Sequence, residues 1–202
     1  MTTFGWVRYW IALLLLVTGP GSLLFWLPIH PLTRTWRRIG YGWAYVAGFG
    51  VYLLSAVALA AFRRPLLSIE FGTSFPAIGL GLLLIAAAIS VGRRRKRHLT
   101  TRKLLGLPQL APDRYPSTLL REGAYARVRH PRYLEVLLGC LGYALVCNYL
   151  AAYGVVVFLA LSFLVLIPME ERELAERFGP AYEEYRRRVP AIFPRLLRAA
   201  RR

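Results

Sequence analysis

The chain has 202 residues, of which 56% are hydrophobic and 18% charged, yet 27 Lys and Arg stand against 10 Asp and Glu for a formal charge of +17. A soluble domain is about 45–50% apolar and about 25% charged, and a disordered basic tail is poor in aliphatic residues, so both classes are excluded. The balance is that of a membrane protein, with enough apolar residues for several spans of about 20 residues each.

The first apolar run extends from Trp6 to Leu27, softened at Gly19, Pro20 and Gly21 and followed by Pro28 and the basic stretch Arg34 to Arg38. It lacks a small-residue cleavage site and carries Trp26 near its end, so it is expected to be a retained span rather than a signal peptide. The second run, Tyr41 to Phe62, has 22 residues without a charge and stops at Arg63 and Arg64. The third, Phe75 to Val91, is expected to stop at the block Arg93, Arg94, Arg95, Lys96, Arg97. Beyond a polar stretch comes the apolar block Tyr133 to Pro168, 36 residues containing only the charge of Glu135. A single helix of that length would measure about 54 Å, far beyond the hydrocarbon thickness, so the block is expected to fold into a helical hairpin split near Asn148.

Basic residues number 6 before position 92, 12 from 92 to 132, none in the hairpin and 9 after it. Cations concentrate on the cytoplasmic side of membrane spans. Both flanks of the hairpin therefore share one side, and counting back gives five spans with the N-terminus outside and the C-terminus in the cytoplasm of a multi-pass cell-membrane protein. The expected fold is all-α: N-terminal transmembrane helices over 1–91, and over 92–202 a cytosolic loop, the hairpin and C-terminal amphipathic helices. No internal repeat is visible. The charge does not imply nucleic-acid binding, because the arginines flank spans and face anionic lipid.

Candidate chemistry clusters in two segments that the hairpin joins at one membrane face. Between Tyr115 and Tyr133 the chain offers a turn at Gly123, the ring of Tyr125, and Arg129, His130 and Tyr133 around Pro131. Pro131 suits the first turn of a helix, whose free N–H groups and dipole favour an anion, and Arg127 and Arg129 add bidentate geometry for a carboxylate. After the hairpin come Glu170 and Glu171, of which one or both can face His130; a carboxylate at such a boundary is a functional candidate. Leu174, Phe178, Tyr182 and Tyr185 form an amphipathic stripe interrupted at Gly179 and Pro180, while Arg186 to Arg188 with the neighbouring glutamates are expected to form a solvated face. Cys140 and Cys147 have no metal or disulfide spacing, and no metal site is expected.

The ordered motifs Gly123-x-Tyr125, Arg129-His130-Pro131-x-Tyr133, Glu170-Glu171-x-x-Leu174, Phe178-Gly179-x-x-Tyr182-x-x-Tyr185 and Arg188-Val189-Pro190 resemble the isoprenylcysteine carboxyl methyltransferase family of integral membrane enzymes, whose wider relatives include phospholipid N-methyltransferases. Cys147-Asn148 at the hairpin tip is similar to the eukaryotic members. The resemblance covers about residues 115 to 195. It implies a cytosolic S-adenosylmethionine site, with S-adenosylhomocysteine as product, formed by Ser117, Thr118, Leu119, Leu120, Tyr125, His130, Pro131, Arg132, Tyr133 and Glu170. Tyr125 and residues 117–120 would hold adenosine, His130 the methionyl carboxylate, and Glu170 the cationic methionine moiety, with Arg129 and Glu170 as the catalytic pair. The acceptor implied is a lipophilic small molecule or membrane lipid. The eukaryotic carboxyl methyltransferases carry an arginine shortly before the glutamate, whereas Leu166 stands here, so the acceptor group stays open among carboxylate, amine, thiol and hydroxyl, with Arg129 a possible substitute. A phospholipid or other N- or S-methyltransferase, or a non-catalytic protein of this fold, are the alternatives.

Overall fold

A computed structural model describes residues 2–26, 28–29, 32–97, 107–111 and 118–194, and every regular element among them is helical. Helix α1 (Thr3–Leu24) starts at Thr2, whose hydroxyl accepts from the Gly5 amide at 3.2 Å, and it continues through Pro20. The short α2 (Thr33–Ile39) leads through Gly40, at φ +106°, into α3 (Tyr41–Ala61). After one helical turn, α4 (Arg63–Leu66), and an extended loop comes α5 (Phe75–Lys96), capped by the Ser74 hydroxyl. A turn α6 (Leu107–Leu110) and a 3-10 turn at Gly123–Ala126 precede α7 (Pro131–Cys147), α8 (Leu150–Phe178) and α9 (Pro180–Arg188).

Four helices, α1, α3, α5 and α8, are long and apolar enough to cross a membrane. The fifth expected span, α7, has 17 residues and so measures about 26 Å, slightly short of the hydrocarbon core. It completes the hairpin with α8. The reversal falls where the sequence places it: Asn148 closes α7 in the left-handed conformation at φ 58°, which Asn tolerates better than most residues.

Two expected boundaries move. α5 does not stop at Val91 but carries Arg93, Arg94, Arg95 and Lys96 in its last turn. Charges halt a span in the bilayer without halting a helix, because arginine is a good helix former and cations oppose the negative C-terminal dipole. Likewise α8 runs through Pro168, so Glu170 and Glu171 lie within a continuous 29-residue helix rather than beyond its end. The proline removes one backbone donor, and the packing around it retains the helix.

Packing centres on α5 against α7, with α1 lying on α3, α7 and α8. The closest crossing is between Gly81 and Gly142, where an added Cβ on either would come within 2.6 or 2.7 Å of the other's carbonyl oxygen. Small residues are what permit backbones to approach so closely in a membrane. The buried cluster behind it includes Leu15, Leu16, Cys147, Leu159 and Phe163. Outward, α3 exposes Trp43, Val46, Phe49, Leu53, Leu54 and Val57, a surface suited to hydrocarbon.

The Arg8 end of α1, the loop before α5 and the hairpin tip lie together: Arg8 Nε donates to the Cys147 carbonyl at 2.9 Å and Nη1 to the Thr73 hydroxyl at 3.2 Å. At the other end Arg132 rests over the ring of Trp26 at 5.8 Å. The N-terminus and the hairpin tip therefore share one end of the bundle, and both flanks of the hairpin share the other.

Candidate functional site at the base of the hairpin

α7 begins at His130, with Pro131 in its first turn, where a proline sacrifices no hydrogen bond. Two segments meet here. The Arg129 amide donates to the Pro190 carbonyl at 2.8 Å and the His130 amide to Ala191 at 2.9 Å. The chain after α9 is thereby stitched to the segment that enters α7. Gly179, at φ +55°, turns α8 into α9 and aims that strap back at the site.

Glu171 is the hub. Its Oε1 accepts from Arg129 Nε at 2.9 Å, from Arg129 Nη2 at 2.6 Å and meets His130 Nε2 at 3.1 Å, while Oε2 lies 3.4 Å from Arg186 Nε. Arg129 spends its remaining polar capacity on backbone: Nη1 donates to the Arg186 carbonyl at 2.9 Å and also to that of Val189. Four donor bonds of one guanidinium are thus used inside the protein, and Arg129 is placed as a clamp between α8, α9 and the strap.

Glu170 lies on the other side of the imidazole. Its Oε2 accepts from the Tyr133 hydroxyl at 2.9 Å and sits 3.5 Å from His130 Nδ1. It is the more open carboxylate of the two, its side chain 28% exposed against 10% for Glu171. Both glutamates therefore face His130, one on each ring nitrogen. Burial alone would lower the histidine pKa, but the hydrogen bonds and charges of Glu170 and Glu171 more than reverse that and hold it up at about 9. The imidazolium is the charged form at neutral pH.

Tyr125 stands in the 3-10 turn, its carbonyl accepting from the Tyr185 hydroxyl at 2.7 Å. Burial pushes its phenol up to about 12, opposed by Arg95 and assisted by Glu170, which puts its hydroxyl within electrostatic reach of both. Arg121 ties the preceding segment to α9 through the Ala181 carbonyl at 2.8 Å. Tyr182 is fully buried under this cluster, and its hydroxyl has no hydrogen-bond partner among the described residues.

Of the residues selected from the sequence, the structure gathers Arg129, His130, Pro131, Tyr133 and Glu170 around one point, with Tyr125 and Arg132 on the rim. Arg132 is exposed, as is Thr118, while Leu119 and Leu120 are half-buried; Ser117 lies outside the described residues. Sequence reasoning singled out Glu170 as the functional carboxylate and left Glu171 undistinguished. Arg186 is exposed, as expected of a solvated face, and its Nε also comes within 3.4 Å of Glu171. The strap entered the resemblance through Arg188-Val189-Pro190, but nothing in the sequence marked its pairing, through Pro190 and Ala191, with Arg129 and His130.

The phospholipid methyltransferase family model matches residues 77–181, just over half of the chain. Among individual proteins, the cobalt-zinc-cadmium resistance protein CzcN of Cupriavidus metallidurans is 44% identical over 84 residues, 40% of this chain and 37% of that protein. Protein-S-isoprenylcysteine O-methyltransferase B of Arabidopsis thaliana is 38% identical over 77 residues, 38% of this chain and 39% of its own. Protein-S-isoprenylcysteine O-methyltransferase of Schizosaccharomyces pombe is 29% identical over 150 residues, 72% of this chain and 51% of its own. The chain thus spans about half the length of these relatives or less. No solved structure matches at a significant level. The family model takes in α5, the whole hairpin and the Glu170–Glu171 pair, and the isoprenylcysteine methyltransferase relatives agree with the resemblance read from the motifs: the chain belongs to the phospholipid methyltransferase family.

Proposed function

We propose that the protein is an integral membrane methyltransferase that takes S-adenosylmethionine at the base of the hairpin and methylates a lipophilic acceptor. The observation that carries this reading is the pair of carboxylates gripping one charged imidazole, with the outer carboxylate, Glu170, partly open.

The residues present fit such a cofactor. Its methionine end combines a carboxylate with an ammonium and a sulfonium, so it needs cationic and anionic partners side by side. His130, Arg129, Arg132 and Arg186 against Glu170 and Glu171 leave the region with excess positive charge, and Glu170 is the exposed anion within it. When bound, the cofactor supplies an electrophilic methyl group. Glu170 is assigned to its cationic part, His130 and the start of α7 to its carboxylate, and Tyr125 with residues 117–120 to adenosine. The Tyr133 hydroxyl fixes the Glu170 rotamer. Arg129 is assigned a positioning role, because its donors hold Glu171 and the strap. The protein's contribution to rate is alignment and exclusion of water, an effect worth up to about 7–11 kcal/mol when complete.

The acceptor reaches the site laterally from the bilayer, while the hydrophilic cofactor arrives from the cytoplasm. This places the hairpin base on the cytoplasmic side of the cell membrane and the N-terminus outside, a topology that cysteine labelling from either face tests. The identity of the relatives favours a carboxyl O-methyltransferase; the family description favours a phospholipid headgroup as the second reading. Calorimetry with S-adenosylhomocysteine on detergent-purified protein tests the pocket. Binding is expected, and Glu170→Gln or His130→Ala should weaken it tenfold or more. Unchanged affinity in both variants overturns the assignment, and no binding to the unmodified protein makes it a non-catalytic member of the family.

A further inference from the structure

In the last turn of α5 lies an arginine that no part of the proposed cofactor site accounts for. Arg95 is 4% exposed although its neighbours Arg93, Arg94, Lys96 and Arg97 all face solvent. Its Nε donates to Glu135 Oε2 on α7 at 2.8 Å, but its Nη1 is buried with no hydrogen-bond partner among the described residues. Gly92, one turn earlier, makes the arrangement possible: a Cβ there would overlap the Glu135 carboxylate. The turn bearing Tyr125 packs on this end of α5, and its hydroxyl lies within electrostatic reach of Arg95, Glu135 and Glu170. The pair therefore borders the proposed donor site through Tyr125.

Buried guanidinium groups are ordinarily saturated with acceptors, and an unfilled donor calls for an explanation. Engaging Glu135 through Nε leaves the far edge of the fork for a second planar or tetrahedral oxyanion. Nη1 itself is buried, so a ligand would reach it by displacing its neighbour Glu135, whose side chain is 26% exposed. The half-buried Arg129 is less suited, since four of its five donors already go to Glu171 and two carbonyls. Arg95 also sits where α5 leaves the apolar part of its span, the depth at which the charged group of a membrane-borne lipophile resides.

We propose that Arg95, with its unfilled Nη1 edge, is the recognition residue for the methyl acceptor, and that the acceptor is a lipophile bearing an oxyanion. The proposal rests on the methyltransferase reading only for calling the ligand an acceptor; oxyanion binding itself is measurable without turnover. Detergent-purified full-length protein is titrated with two matched pairs, dodecanoate against dodecanamide and monododecyl phosphate against dodecanol, and occupancy is read by native mass spectrometry. The unmodified protein is expected to bind the anion of at least one pair tenfold or more tightly than its neutral partner, and the pair with the larger preference tells a carboxylate source from a phosphate one. Arg95→Gln should erase the preference. Glu135→Gln should increase it about threefold or more by removing the competing negative charge, an outcome that a merely structural ion pair would not give. Equal affinity for anion and neutral partner, or a preference untouched by Arg95→Gln, overturns the proposal. If Arg95→Gln does not fold, Glu135→Gln decides alone: unchanged or weaker anion binding overturns it. S-adenosylhomocysteine calorimetry run in parallel separates the two readings, because its failure removes the methyltransferase function and leaves the anion preference to be judged independently.

Discussion

The two ends of the α7–α8 hairpin are built by the same device and end up with different capacities. At the tip, residues 148–150 pair with the loop before α5: the Phe71 amide donates to Asn148 at 3.0 Å and the Leu150 amide to Ile69 at 3.1 Å, with buried Arg8 holding the last carbonyl of α7. At the base, residues 129–130 pair with the strap after α9, and half-buried Arg129 holds one carbonyl of α9 and one of the strap. Each end thus docks a returning segment on an arginine, fully buried at the tip and half-buried at the base. The difference lies in the carboxylates. Glu70 at the tip is 46% exposed at its side chain and 3.6 Å from Arg8, whereas Glu171 at the base is 10% exposed and shared between Arg129 and a histidine. A backbone splice alone stabilises; a splice that buries a carboxylate beside a titratable ring also tunes a site.

The largest test of that contrast is Glu171→Ala. Removing the buried carboxylate leaves Arg129 without its anion and His130 with Glu170 alone, which costs up to about 3–5 kcal/mol. Denaturant or thermal unfolding in detergent should show the loss, and hydrogen exchange should locate it as faster exchange of the Arg129 and His130 amides with little change at Phe71 and Leu150. Equal acceleration at both ends would mean that the base is not an independent unit.

Acidity gives the next effect. The His130 pKa of about 9 in the folded protein lies above its unfolded value of 6.5, so the stability it contributes is fully present below about pH 6.5 and is lost as pH rises through 9. Up to about 3 kcal/mol is at stake, and it should appear as falling unfolding midpoints between pH 6.5 and 9. His130→Gln should flatten the profile. The Arg8 cluster contains no histidine, so Arg8→Met should leave the profile's shape intact while lowering it throughout by about 1–3 kcal/mol, the cost of stranding the Cys147 carbonyl. S-adenosylhomocysteine affinity should survive Arg8→Met.

How far the sequence could be read follows from the same contrast. Spans and the hairpin were legible because apolar length converts directly into helix length, and because Asn148 interrupts a block too long for one span. The motif around His130 was legible because its chemistry sits on consecutive residues. The partners that complete each end were not. Arg8 finds its role through residues 70, 73 and 147, far away in sequence, and nothing local marks it. Glu170 and Glu171 are about 100° apart on one helix, so periodicity cannot tell which faces a ring that in fact takes both. Arg95 was hidden in a run of five basic residues whose burial depends on Gly92 and the approach of α7.

The smallest effect isolates the tip turn itself. Asn148 closes α7 at φ 58° while its Nδ2 donates to the Gly72 carbonyl at 3.0 Å and its Oδ1 accepts from the Tyr153 hydroxyl at 2.9 Å. Asn148→Gly keeps the left-handed backbone without strain but loses both side-chain bonds, so about 1 kcal/mol should go. Asn148→Ala loses the same bonds and adds the strain of a left-handed residue with a Cβ, so it should cost about 1–2 kcal/mol more than the glycine variant. The difference between these two unfolding free energies measures the turn, and the glycine value measures the two side-chain bonds. If the two variants are equal, the turn relaxes out of the left-handed conformation, and the hairpin is then held at its tip by Arg8 and the backbone pairing rather than by the identity of residue 148.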